Sequence, residues 1–104
     1  MAGYKLSSDA KDDLREIRAY YLENAGARVV RYVLGEIADA MRFLARTPGA
    51  GHSRRDLTGE AVKFWPVFSF LIVYDPATKP IGIARVLHGR RDLETMFQGR
   101  PPQA

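Results

Sequence analysis

Residues 61–88 read AVKFWPVFSFLIVYDPATKPIGIARVLH, and this stretch decides the fold. It is rich in β-branched and aromatic residues, which favour extended strands. The pattern predicts a strand over 61–65, an interruption at Pro66, a central strand over 67–74 and a third strand over 81–88. The intervening DPATKP has the composition of a turn. The last two strands are therefore expected to form an antiparallel hairpin.

Two amphipathic helices precede this β-rich half. The first is predicted to begin at Ser7-Ser8-Asp9, whose side chains can accept hydrogen bonds from the amides of a first helical turn. Asn24-Ala25-Gly26 ends it, since Asn and Gly readily adopt the left-handed conformation that closes a helix. Its apolar stripe recurs at helical spacing and consists of Ala10, Leu14, Ile17 and Tyr21.

The second helix is predicted over residues 27–46, and Thr47-Pro48-Gly49-Ala50-Gly51 stops it. Its apolar stripe consists of Val30, Val33, Leu34, Ile37, Met41 and Leu44. A connection this short makes the two helices antiparallel neighbours. With residues 4–6 as an additional short strand, the order becomes β-α-α-β-β-β. We therefore predict an α+β fold with a helical hairpin packed on one face of a small antiparallel sheet.

Length and composition restrict the class of protein. A chain of 104 residues suffices for one domain, which we expect over 1–98, followed by a C-terminal tail over 99–104. The absence of cysteine excludes disulfides and thiolate chemistry. Nothing resembles a signal peptide or a membrane span, so we expect a cytoplasmic protein with no membrane association. The residues suggest no cofactor and no metal site, since the two histidines lack ligand spacing.

Charge is distributed unevenly along the chain. The net charge is +4, and residues 51–104 contribute +3 of it. This is consistent either with a solvated basic surface or with a second half that contacts an acidic partner. The densest cationic cluster contains Arg85, Arg90 and Arg91, whose guanidinium groups could bind phosphate or carboxylate. In the alternative structural interpretation, the neighbouring Asp92 pairs with one of these arginines.

Strand alternation places Ile83, Arg85 and Leu87 on one face of the sheet, with Ala84, Val86 and His88 on the other. His88 is expected to be a satisfied residue at a strand end, with catalysis as the minority interpretation. A nucleophilic triad of Ser53, His52 and Asp56 is disfavoured, because residues so close in one loop rarely reach triad geometry. The strand aromatics are expected to be core residues more often than a base-stacking platform: Phe64, Trp65, Phe68, Phe70 and Tyr74.

Four segments, in their order and spacing, resemble the ParE branch of the RelE/ParE toxin superfamily. Leu6-Ser7-Ser8-Asp9-Ala10, with Asp13-Leu14 and Ile17, is similar to the family's start. Phe43-Leu44, Pro48-Gly49 and Gly51-His52 are similar to its turn into the sheet. Phe64-Trp65-Pro66-Val67 and Phe70-Leu71-Ile72-Val73-Tyr74 are similar to its strand pair, and Arg85-Val86-Leu87-His88-Gly89-Arg90-Arg91-Asp92-Leu93 to its closing signature. The resemblance covers residues 4–98.

The resemblance implies a toxin of a type II toxin–antitoxin system that binds and inhibits an essential target, DNA gyrase in characterised ParE proteins. It also implies a cognate antitoxin as partner, and contact with nucleic acid only through the partner complex. We expect the antitoxin on exposed edges of the helical hairpin, which supply Leu14, Ile17, Tyr21, Val30 and Leu34. The target would contact Arg85, Arg90 and Arg91.

Two alternatives stay open. The RelE branch of the superfamily cuts messenger RNA on the ribosome, and here a nuclease would have to use Lys63, Arg85, His88 and Arg90. Phe97 stands where that branch has a catalytic tyrosine, so this hydroxyl is missing, and Glu94 is a possible substitute. The third hypothesis is an interaction domain with no toxicity.

Overall fold

The computed structural model describes residues 3–54 and 61–88. Within them the order of elements is the predicted one: β1 (Tyr4–Leu6), α1 (Ser8–Asn24), α2 (Ala27–Arg46), a 3-10 turn (Pro48–Ala50), β2 (Lys63–Val67), β3 (Phe70–Asp75) and β4 (Ile81–His88). The predicted α+β class and helical hairpin are confirmed. None of the helices within these residues is both long and apolar enough to cross a membrane.

The sheet has the order β1-β4-β3-β2, and its first pair departs from the antiparallel expectation. β2 with β3 and β3 with β4 are antiparallel, whereas β1 runs parallel to β4, with Tyr4 opposite Ile81 and Leu6 opposite Ile83. The two helices and the β2–β3 hairpin lie between β1 and β4 in the chain. The chain then enters β4 in the same direction as β1, which lies beside it. The sheet is therefore mixed.

The predicted break at Pro66 is misplaced. β2 continues through Pro66 to Val67, which is possible because β2 is an edge strand and the missing N–H of proline is not needed there. The chain turns at Phe68 and Ser69 instead, and Phe68 has a positive φ of 56°. The predicted strand over 67–74 is thus divided between β2 and β3.

A β-bulge corrects the predicted faces of β4. The register shifts between Val73 and Tyr74, so that one residue of β4, Ala84, has no partner in the ladder. An extra residue reverses the alternation that follows it. As a result Ile83 and Val86 both belong to the core under the helices, while Leu87 packs on the opposite face of the sheet. The prediction that Ile83 and Leu87 share a face was wrong.

The start of α1 is fixed by its cap and by the sheet. The Ser7 side chain accepts a hydrogen bond from the Ala10 amide at 2.9 Å and donates to the Ala84 carbonyl at 2.7 Å. The Ser7 amide also donates to the Ile83 carbonyl. One residue therefore ends β1, begins α1 and continues the pairing along β4.

The main core lies between the hairpin and the sheet. The predicted stripe of α2 is buried there, with Leu34 half-buried. Three strand aromatics are also buried, as predicted: Phe64, Phe70 and Tyr74. Phe64 packs with Val73 and Leu87 in a second, smaller cluster on the opposite face of the sheet.

Candidate functional site

Arg85, the central cation of the predicted target face, is bound inside the domain. Its Nε and Nη2 atoms donate to the two carboxylate oxygens of Asp13 on α1, at 2.8 and 2.9 Å. The Val86 amide donates to the same carboxylate at 2.9 Å. The Asp13 side chain is 11% exposed and that of Arg85 28%. A bidentate pair of this kind holds a guanidinium in one orientation.

This α1–β4 cluster (Asp13, Arg85 and Val86) covers an edge that β1 leaves open. β1 ends at Leu6, opposite Ile83, so β4 continues beyond its last strand partner on that side. There the carboxylate of Asp13 takes the place of a strand carbonyl for the Val86 amide. The primary role of Arg85 is accordingly to orient Asp13 and join α1 to β4.

His88 lies at the end of β4 among aromatic rings. Its ring centroid is 5.1 Å from that of Phe70 and 6.5 Å from that of Tyr20. These residues line a shallow pocket together with Glu16 and Tyr21. The packing agrees with the structural interpretation of His88.

Two residues of the nuclease alternative, Lys63 and His88, lie near opposite ends of the strand between them. Lys63 is opposite Tyr74 at one end of β3, and His88 is opposite Phe70 near the other end. Four residues of extended chain separate these positions, which is about 13 Å. Arg85 is paired with Asp13, and Arg90, Glu94 and Phe97 lie outside the described residues. Within the described residues, Lys63 and His88 therefore lie far apart, whereas His88 lines one pocket with Asp13 and Glu16.

His52 has a structural role in place of the disfavoured triad. Its amide and carbonyl pair with the carbonyl and amide of Phe64, at 2.8 Å each, and its ring stacks on Trp65 at 6.2 Å between centroids. Asp56 lies outside the described residues. Within residues 3–54 and 61–88, no three His, Asp or Glu side chains are placed to hold a metal ion.

The residues predicted to contact an antitoxin face mainly inward. Ile17 and Val30 are buried, so these two offer a partner almost no surface. Leu14, Tyr21 and Leu34 are half-buried and pack against the core. These three remain predicted contact residues. Arg90 and Arg91 of the predicted target face lie outside the described residues.

The exposed apolar surface is elsewhere. Tyr32 and Phe68 are 60% and 56% exposed, and their ring centroids are 5.7 Å apart. Phe68 was expected in the core with the other strand aromatics, and this was wrong because it lies in the β2–β3 turn. Tyr20, Leu22 and Val29 are the other large exposed apolar residues of the described chain. The periodicity of strands and helices does not predict the Tyr32–Phe68 contact, because this contact forms where the β2–β3 turn meets α2.

A shallow groove lies between α2 and β2. We name it the α2–β2 groove; it is lined by Glu36, Asp39, Ala40, Phe43, Trp65, Pro66 and Val67. Trp65 is half-buried between Phe43, at 5.3 Å between ring centroids, and His52. The groove therefore combines aromatic walls with two acidic side chains from α2.

The loop at one end of this groove is anchored by Tyr74. The buried Tyr74 hydroxyl donates to the Pro48 carbonyl at 2.6 Å and accepts from the Gly51 amide at 2.9 Å. Burial raises the pKa of Tyr74, and the hydrogen bond from Gly51 opposes this rise. A Cβ atom at Gly51 would lie 2.4 Å from the tyrosine oxygen, so only glycine fits there. This contact holds the loop that carries His52.

Residues 4–93 match the family model described as the ParE toxin of the type II toxin–antitoxin system parDE. No curated protein matches the chain significantly. A solved structure described as the chromosomal ParDE TA system from P. aeruginosa is similar, with a TM-score of 0.72 and 20% sequence identity. The similarity covers 86% of this chain and 98% of that one. At this identity the likeness concerns the fold.

Proposed function

Because the chain belongs to the ParE toxin family of type II toxin–antitoxin systems, we propose that it inhibits an essential enzyme by binding to it. The target is DNA gyrase, as the family resemblance implies, and a cognate antitoxin neutralises the toxin in the cytoplasm. The observation that carries the proposal is the family match over residues 4–93. Inhibition by binding needs surfaces and no catalytic group.

The separation of the candidate nuclease residues supports binding over RNA cleavage. A ribonuclease must place a base, an acid and a cation within hydrogen-bonding reach of one phosphodiester. Lys63 on β2 and His88 on β4 pair with residues of β3 that are four positions apart, and the Arg85 guanidinium already binds Asp13. The described residues have exposed aromatic surface instead, which is characteristic of protein–protein interfaces.

For the target face we retain Arg90 and Arg91, with Arg85 supporting them from β4. Arg85 is paired with Asp13, so two of its donors are directed inward. The proposal for Arg90 and Arg91 is based on the sequence, where both follow β4 closely. Their charge would accelerate association with an acidic surface and would make it sensitive to salt.

Expression in bacteria tests the function. We expect growth arrest with DNA breaks while protein synthesis continues at first, and growth restored by co-expression of the cognate antitoxin. The purified chain should inhibit supercoiling by purified gyrase. Early arrest of translation with cleaved messages and intact DNA would support the nuclease alternative. Normal growth with an unimpaired gyrase would support a non-toxic interaction domain.

A double variant, Arg90→Ala with Arg91→Ala, tests the target face. It should weaken gyrase inhibition about tenfold or more, since charged interface pairs are worth one or more kcal/mol each. The matched control is Lys11→Ala with Arg28→Ala, which removes the same charge from exposed helix positions. Equal inhibition by both double variants would contradict the assignment.

A further inference from the structure

Four aromatic rings form a closed circuit at the end of the sheet where β4 stops. Tyr20 packs edge-on against Tyr21, at 5.1 Å between ring centroids and 86° between ring planes. The Phe70 ring lies 6.0 Å from Tyr21 and 5.1 Å from His88. The His88 ring completes the circuit at 6.5 Å from Tyr20. All four rings line one shallow pocket, which we name the aromatic pocket.

Three elements of the fold bring these rings together. Glu16 and Tyr20 are four positions apart on α1, so their side chains lie on neighbouring turns of one helix face. Phe70 and His88 are directly opposite each other in the β3–β4 ladder. The walls of the pocket therefore belong to a helix and two strands, whose positions the core fixes.

Core packing explains only part of the circuit. Phe70 is 3% exposed and belongs to the main core. Tyr20 is 55% exposed, and His88 is half-buried. Burial therefore does not account for an aromatic residue at position 20, and the rings of Tyr20 and His88 leave surface that a small group can contact.

The aromatic pocket also has an acidic wall, formed by Asp13 and Glu16. Asp13 is already paired with Arg85. Glu16 is exposed and forms no ion pair with any residue that the structure describes. The faces of aromatic rings attract cations, and a carboxylate beside them attracts the same charge. The combination favours a cation and disfavours an anion.

We propose that the aromatic pocket binds an alkylammonium group, with Tyr20 and His88 contacting the cation and Glu16 as its counter-ion. A free amine and a lysine side chain both present this group, so the pocket accepts either source in chemical terms. The proposal goes beyond the toxin function and does not rest on it.

The two histidines of the chain permit a direct test, because His88 lines the pocket and His52 stacks on Trp65 outside it. Isotope labelling of the histidine rings gives a separate NMR signal for each. At about pH 8 an imidazole is ordinarily neutral. There we expect n-butylammonium to move the His88 signal saturably, with a dissociation constant on the order of millimolar, and to leave the His52 signal unchanged. Butan-1-ol, a neutral molecule of similar shape, should move neither signal.

Two substitutions at exposed positions should weaken binding while preserving the fold. Tyr20→Leu removes one ring and should weaken n-butylammonium binding about fivefold. Glu16→Gln removes the counter-ion and should weaken it about threefold. The matched controls are Tyr32→Leu, a comparably exposed tyrosine on α2, and Glu23→Gln, an exposed glutamate of α1 that does not line the pocket. Both controls should bind as the unsubstituted chain does, and all four variants should melt within a few degrees of it.

A short peptide with a single lysine distinguishes the two sources of the cation. Acetylation of that lysine removes its charge and provides the control. Binding of the lysine peptide, with loss on acetylation, would assign the pocket to a side chain of a polypeptide. Binding of n-butylammonium with no binding of the peptide would assign it to a free amine.

Several results would overturn the proposal. Equal shifts of the His88 signal by butan-1-ol and n-butylammonium would show that charge is not recognised. The absence of a saturable shift, or equal affinity in Tyr20→Leu and Tyr32→Leu, would exclude the cation site. A saturable shift with methyl phosphate and none with n-butylammonium would identify an anion site instead. Growth arrest and gyrase inhibition test the toxin function separately from each of these results.

Discussion

Two regions of the domain, the α1–β4 side and the α2–β2 side, use their polar and aromatic residues in opposite ways. On the α1–β4 side, Asp13 receives three hydrogen bonds from Arg85 and Val86, and the charged groups are bound within the domain. On the α2–β2 side, Tyr32 and Phe68 are exposed beside acidic residues. The first arrangement stabilises the domain and leaves little of this charge for a partner. The second contributes little to stability and leaves surface for recognition.

This comparison distinguishes residues that look functional in the sequence from residues whose side chains are available to a partner. Arg85 belongs to the densest cationic cluster of the sequence, yet its guanidinium is turned toward α1. Phe68 belongs to a run of strand aromatics and looks like core, yet it lies at the tip of a turn. Substitutions in the α1–β4 cluster and around the Tyr74 anchor should therefore change stability, while those on the exposed α2–β2 surface should change binding.

The largest effect on stability is expected from Gly51→Ala, at the base of the α2–β2 side. The new methyl group would overlap the fully buried Tyr74 ring, which has no room to move. Overpacking and loss of the hydrogen bond should lower the free energy of unfolding by about 3 kcal/mol. Urea unfolding of both proteins measures this change in the free energy of unfolding. Gly49→Ala is the control, because no atom lies within 4 Å of its added Cβ; equal loss in both variants would contradict the anchor.

Asp13→Ala should have the next largest effect. It leaves the Arg85 guanidinium and the Val86 amide without the carboxylate that joins them to α1. We expect a loss of about 2.5 kcal/mol in the free energy of unfolding, for a charged network that is partly exposed. The adjacent Asp12→Ala breaks only an exposed ion pair with Arg15 and should cost less than about 1 kcal/mol. A reversed order would refute the structural role of Asp13.

Tyr74→Phe should lower the free energy of unfolding by about 1.5 kcal/mol near neutral pH, since two buried hydrogen bonds lose their hydroxyl. Burial raises the pKa of Tyr74 in the folded chain. Above the ordinary tyrosine pKa of about 10, the unfolded state loses a proton that the folded state retains. The contribution of the hydroxyl is therefore complete below pH about 10 and declines at higher pH. A difference between the two proteins that stays constant up to pH 11 would argue against it.

Tyr32→Ala should have the smallest effect on stability, within about 0.5 kcal/mol, because the residue is mostly exposed and surface substitutions rarely exceed this value. The same substitution should weaken antitoxin binding severalfold. Thermal melting and calorimetric titration on one preparation separate the two quantities. A large loss of stability with unchanged affinity would place Tyr32 among the structural residues and remove the contrast between the two sides.

Local chemistry was sufficient to predict the helices and much of the core from the sequence. Ser7 caps α1, and Gly26 connects the helices with a φ of 94°. Helical spacing identified the buried residues of α2. Each of these features depends on residues that lie within a few positions of one another. For such features sequence patterns are reliable.

The features that were not predicted depend on residues that are distant in the sequence or on residues in a conformation that their type rarely adopts. Asp13 is 72 positions from Arg85, so no local pattern shows that this arginine is paired. The bulge at Ala84 reverses the faces of β4 without a glycine to mark it. The turn at Phe68 contains neither the glycine nor the asparagine that a positive φ usually requires. The parallel pairing of β1 likewise depends on tertiary structure.

Hydrogen–deuterium exchange of the chain, alone and in complex with its antitoxin, tests the contrast between the two sides most directly. We predict slower exchange over residues 65–69 and over the part of α2 from Tyr32 to Phe43, with little change over residues 84–88. Protection confined to β4 and α1, with the α2–β2 groove exchanging as in the free chain, would contradict the account.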